Sequence, residues 1–143
     1  LSAQAAQQAK TREFSEPFLT PKNTVAEKLT AAVTNMGFNV VVGDRFSHLI
    51  GGGAGKGLAV HQLLDLYGST FAPGEAVVTV GLGNSPNDLD MLENVDHAIV
   101  LPGADGPHPQ LSDRGWVIAP QPAPEGWALA VTQVLQSVGL DKL

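Results

Sequence analysis

Three short apolar runs, at 76–82, 97–101 and 116–119, set the strongest limit on what this chain can fold into. Between and after them the pattern is helical: Lys56, Leu58, Ala59, Leu63, Leu64 and Leu66 mark a helix over 55–68, Pro86 opens another that runs through Leu92, and 126–138 closes the chain as a third. Short apolar strands alternating with helices imply a parallel sheet covered on both faces. Sheets of that kind usually have five or more strands, so three make an incomplete set. The segments 102–114, rich in Gly, Pro and Asp, and 121–125, punctuated by Pro, read as connections.

The first fifty residues have a different texture. Residues 2–13 are rich in Ala and Gln and predict a helix; 14–20 reads as extended; Pro21, Lys22 and Asn23 form a turn. From Thr24 the apolar positions Val25, Leu29, Ala32, Val33 and Met36 recur at helical spacing, and Gly37 ends that helix. Residues 38–42 and 45–50, separated by the turn signal Gly43-Asp44, predict a β-hairpin. The glycines at 51, 52, 53 and 55 form a break, so the chain is expected to divide into a small α+β unit over 1–52 and an α/β unit over 53–143. The expected fold class is α/β, with an incomplete Rossmann-like parallel-sheet core.

Composition removes several function classes. There is no cysteine among the 143 residues, which excludes disulfides, cysteine-ligated metals and thiol nucleophiles and fits a cytoplasmic location. Hydrophobic residues are 43% and charged residues 15%, enough apolar material for a core. Aromatics are only 6%, and the net charge of −6 is uneven: the first 45 residues carry +1 and the remainder −7. An acidic second part repels phosphate backbones, so no nucleic-acid partner is expected. No run reaches the length of a membrane span, and the start Leu1-Ser2-Ala3-Gln4 has no signal-peptide pattern, so no membrane partner is expected either. The missing initiator Met hints that the chain was cut from something longer.

The glycine cluster invites a nucleotide-binding reading, which fails on spacing. A phosphate-binding P-loop would need Gly at 50 and Ser or Thr at 57, where Ile50 and Gly57 stand. The dinucleotide fingerprint runs into Lys56 or Val60. Lys56, at the first turn of a helix, opposes the helix dipole. Either it is simply exposed at small cost, or it points at an anion that the helix N-terminus also attracts.

The stretch from Gly81 to Leu92, Gly-Leu-Gly-Asn-Ser-Pro-Asn-Asp-Leu-Asp-Met-Leu, is the most informative. It follows a strand and opens a helix at the carboxyl edge of a parallel sheet, where open α/β folds bind their ligands. Asn84, Ser85, Asn87 and Asp88 concentrate oxygen donors there. Asn84 and Asp88 can share a cation such as magnesium, which needs only one or two carboxylates; equally, these residue types make an ordinary helix cap.

Lys56-Gly57 followed about thirty residues later by Asn84-Ser85-Pro86-Asn87-Asp88 and Met91-Leu92 resembles the haloacid dehalogenase superfamily of phosphohydrolases. Together with 12–18 (Arg-Glu-Phe-Ser-Glu-Pro-Phe) and 43–49 (Gly-Asp-Arg-Phe-Ser-His-Leu), the ordered set is similar to the mannosyl-3-phosphoglycerate phosphatase family and its glucosyl-accepting relatives, over about residues 5–101. The resemblance implies a magnesium-dependent phosphomonoesterase working through a phospho-aspartyl intermediate on a small sugar phosphate. In that frame Lys56 neutralises the phosphoryl oxygens and Asn87 hydrogen-bonds near them, both as catalytic residues; Asn84 and Asp88 form the metal side; and the first unit is a partial cap domain. Arg12, Arg45, His48 and Ser85 would bind substrate. The structural counter-readings are Arg12 paired with Glu16 and His48 serving only the hairpin.

Two departures stand out. Asn84 occupies the position of the family's first acidic metal ligand, which implies weaker cation binding. The Asp-x-Asp nucleophile pair has no counterpart, since the sole Asp-x-Asp is Asp88-Leu89-Asp90 at a helix start. The chain therefore reads as the carboxyl-terminal portion of a phosphatase, expected to be inactive alone. A reading from another class is a non-catalytic fragment that binds phosphate or sugar, or forms a homo-oligomer through an exposed sheet edge.

Overall fold

The computed structural model describes residues 16–19, 24–42, 46–72 and 74–139. The chain divides into two compact units, Leu1–Ala54 and Gly55–Leu143, with the division inside the glycine-rich segment. The helix expected over 2–13 lies outside the described residues.

The first unit holds a three-stranded antiparallel sheet and one helix. The strands are β1 (Glu16–Phe18), β2 (Phe38–Val42) and β3 (Ser47–Gly51), in the order β1-β3-β2. Helix α1 (Thr24–Asn35) precedes β2 and ends at Gly37, whose φ of 83° is the left-handed conformation that glycine tolerates. Leu29 and Val33, one turn apart on α1, line an apolar cleft with Phe18, Val40 and Leu49 of the three strands. The hairpin register pairs Val42 with Ser47, so the connection is longer than the Gly43-Asp44 signal alone implies.

The second unit is built on a parallel sheet of β4 (Val80–Gly83), β5 (His97–Val100) and β6 (Val117–Ile118), in that spatial order. Its helices are α2 (Lys56–Gly68), α3 (Leu89–Leu92), α4 (Pro109–Ser112) and α5 (Glu125–Ser137), with a 3-10 turn over Pro86–Asp88 leading into α3. The central strand β5 sends successive side chains to opposite faces. Val100 packs with Leu92 and Leu111 on one face. Ile99 packs with Ala119 and Ala130 on the other, where α5 lies. Both faces of β5 are therefore covered, which is the arrangement the apolar runs predict.

Two expectations about this unit need correction. The run 76–82 is a strand only from Val80; Val77, Val78 and Val80 are 41%, 45% and 37% exposed. β5 begins at His97, the partner of Val80, so residues before Val80 have no strand beside them to continue the ladder. The segment 102–114, expected to be a plain connection, contains α4, whose Leu111 is completely buried. Pro109 suits the first helical position, and His108 Nδ1 accepts the Gln110 amide at 3.2 Å, so one helical turn is stable there.

Candidate functional site

The loop that leaves β4 gathers most of the residues singled out above. Gly83 ends the strand, and a Cβ there would come within 2.4 Å of the Asp88 Cβ. Only glycine lets the turn fold back so closely. As a result Asp88 is tucked under the loop, with 6% of its surface exposed.

The two oxygens of Asp88 do different work. Oδ2 accepts the backbone amides of Asn84 at 3.0 Å and Ser85 at 3.3 Å, completing a capping box for the turn at Pro86–Asp88. Oδ1 accepts a short hydrogen bond from Lys56 Nζ, which is also an ion pair. The helix-cap reading of Asp88 thus holds on one oxygen, while the other pairs with Lys56. Burial raises the Asp88 pKa, but the Lys56 hydrogen bond, the Asn84 amide, the Lys56 charge and the Ser85 amide together outweigh it. The net effect holds the carboxyl below the ordinary carboxylate range.

Lys56 is the first residue of α2, and its side chain remains 49% exposed. Its charge is unfavourable at that end of the helix, and Asp88 supplies the compensating anion. Asn87 is half-buried, and its side-chain oxygen accepts a short hydrogen bond from the Ser85 hydroxyl. Asn84 is exposed beside them. Lys56, Asn84, Ser85, Asn87 and Asp88 accordingly lie in one unit, at the carboxyl end of a parallel strand. His48 lies in the other unit, on β3 opposite Pro17 and Val41. Arg12 and Arg45 lie outside the described residues.

The donors around the loop are all oxygens, which suits a hard cation such as magnesium. The fit is partial, however. Among the described residues no group of three or more acidic or histidine side chains gathers, and both oxygens of Asp88 already accept hydrogen bonds. A cation held by Asn84 and Asp88 would need further ligands from elsewhere.

One residue at this site was not legible as part of it. Asp90 accepts the Gly57 amide at 2.7 Å, across 33 positions of sequence. The available signal was the start of α2 itself, where Ala54 and Gly55 offer no side-chain oxygen to the first amides.

No family profile matches the chain. The chain is 34% identical over 133 residues to a glucosyl-3-phosphoglycerate/mannosyl-3-phosphoglycerate phosphatase of Persephonella marina, an alignment covering 93% of this chain and 49% of that protein. It is 32% identical over 137 residues to a phosphatase of the same name from Methanococcoides burtonii, covering 94% of this chain and 49% of that protein. Over nearly its whole length the chain thus resembles glucosyl-3-phosphoglycerate/mannosyl-3-phosphoglycerate phosphatases. It spans about half the length of the curated relatives it matches. The family resemblance expected from the motifs is therefore met, as is the partial extent of the match.

Proposed function

We propose that this chain serves the hydrolysis of the phosphomonoester of a glycosyl-3-phosphoglycerate. The observation that carries the reading is the Lys56–Asp88 pair at the carboxyl edge of the parallel sheet, in a chain related to phosphatases named for that substrate class. In this reading the Lys56 ammonium attracts the phosphoryl oxygens and stabilises the charge that builds on them during transfer. Asp88 holds the amine in place between turnovers, and Asn87 offers an amide donor to the same group. Magnesium, held by Asn84 and Asp88 with ligands from outside this set, would supply further positive charge to the phosphoryl group. The attacking carboxylate of a phospho-aspartyl mechanism is supplied from outside these 143 residues, because their sequence holds no second Asp-x-Asp. His48, Arg12 and Arg45 are assigned to the glycerate and sugar end, where an anionic and hydroxylated substrate needs donors.

The test has two arms. Calorimetric titration of the chain with inorganic phosphate is expected to show binding that Lys56→Ala abolishes; no binding by the wild-type chain overturns the reading. Incubation with glucosyl- or mannosyl-3-phosphoglycerate and magnesium is expected to release no phosphate. Turnover by the chain alone would place an attacking group inside it.

Among the described residues the outer edge of β4 is unpaired, which favours a second reading, in which the chain also associates with another copy along that strand.

A further inference from the structure

Helix α2 starts without a cap of its own. Gly55 at the N-cap has no side chain, and the amides of the first turn need acceptors from elsewhere. Asp90, on α3, provides one: its Oδ2 accepts Gly57 N–H at 2.7 Å. The approach is close enough to dictate the residue types around it. A Cβ on Gly57 would stand 2.6 Å from Asp90 Oδ1, and one on Gly55 would stand 2.6 Å from Oδ2. Two glycines that read in sequence as a hinge are therefore the places where a carboxylate meets a helix start.

A second tie lies one turn further along α2. His61 Nε2 bonds Asn94 Oδ1 at 2.8 Å, and Asn94 Nδ2 donates to the Asp90 carbonyl at 2.7 Å. Asp90 is thus held on its main chain by the same residue that engages α2. The first turn of α2 has little freedom to lift or rotate against α3.

Lys56 is the immediate neighbour of Gly57. Its side chain is long and half exposed, and among the described residues its hydrogen bond is to Asp88. A flexible amine keeps such a partner only where its Cα is fixed, because ordering the chain costs side-chain entropy. We propose that Asp90 is a positioning residue: by closing the N-terminus of α2 from α3, it fixes the point from which Lys56 reaches Asp88. Its carboxylate also opposes the positive helix end that Lys56 aggravates. The inference rests on the Lys56–Asp88 pair being the working element of the site.

The test reads how fast Lys56 is acylated by an amine reagent, by mass spectrometry, with exposed Lys28 on α1 as the internal reference. Asp88→Asn is expected to raise the Lys56 rate by about three- to fivefold, the ratio implied by an ion pair whose lysine end is open to water. Asp90→Ala is expected to do the same, with faster hydrogen exchange at the Gly57 amide. Asp90→Asn keeps an acceptor oxygen and is expected to behave as wild type. If Asp90→Ala exposes the Gly57 amide but leaves Lys56 acylation unchanged, or if Asp90→Asn is as reactive as Asp90→Ala, the positioning role is overturned. If Asp90→Ala does not fold, Gly55→Ala, whose Cβ would meet only the Asp90 carboxylate, at 2.6 Å from Oδ2, is read in its place against the same criteria. No change in Asp88→Asn would overturn the pair itself, whatever the Asp90 variants do.

Discussion

Asp88 joins local backbone order to charge, and its pH behaviour follows. Its folded pKa lies below the unfolded value of about 3.9, so its contribution is complete above that value and is lost as pH falls through the lower folded pKa. Chemical denaturation of wild type and Asp88→Asn should therefore show a stability gap at pH 6 that narrows below about pH 4. Asp88→Ala removes both the capping oxygen and the ion-pair oxygen. Its expected cost is about 1–3 kcal/mol, because the amide bonds are sheltered while the Lys56 side is open to water and screened. Gly83→Ala forces a methyl against Asp88 and is expected to cost about 1–3 kcal/mol in the same measurement. Of these residues, Asp88 was readable as a cap or a ligand because its type and spacing suit both. That one oxygen caps the loop while the other pairs with Lys56 depended on the approach of Lys56, which spacing alone does not give.

At the scale of elements, the buried strand β5 and the small helix α4 organise the second unit. Leu111→Ala is expected to cost about 2–5 kcal/mol in urea denaturation, since its side chain is wholly enclosed between β5 and α3 residues. Leu66→Ala, at 66% exposure on α2, should stay within about 0.5 kcal/mol of wild type. The contrast also explains what could be read from sequence. The helices at Lys56–Gly68 and Glu125–Ser137 are long enough for apolar spacing to show. So is the alternation of strand and helix that gives the parallel sheet. α4 is four residues between prolines and glycines, too short for any period, and only packing against Val100 makes its leucine a core residue. The run 76–82 misled for the opposite reason. Its residues are apolar enough for a strand, but a strand needs a neighbour as well as a composition.

Among the described residues, the second unit taken by itself leaves one sheet edge unpaired: β4 has a ladder only on its β5 side, and beside it Val60, Leu63, Leu64, Tyr67, Phe71 and Val77 line an apolar groove of that unit. Proteins that leave such an edge open usually place a charge on it, and neither β4 (Val80–Gly83) nor the two valines leading into it, Val77 and Val78, carries one. Light scattering of the chain should show self-association that grows with concentration. Val78→Lys is expected to reverse it while leaving the circular dichroism unchanged. Association that persists unaltered in the lysine variant would move the contact elsewhere. Among the described residues no helix is long and apolar enough to cross a membrane.

The division of labour within the Asp88 carboxylate has a kinetic meaning. Under the proposed function, an incoming dianion would compete with a single oxygen for the Lys56 amine, while the other oxygen would go on bridging the Asn84 and Ser85 amides. The exchange of one anion for another at that amine then requires no refolding of the loop. Loading and emptying can proceed at the pace of a side chain changing partners, with the scaffold beneath it at rest.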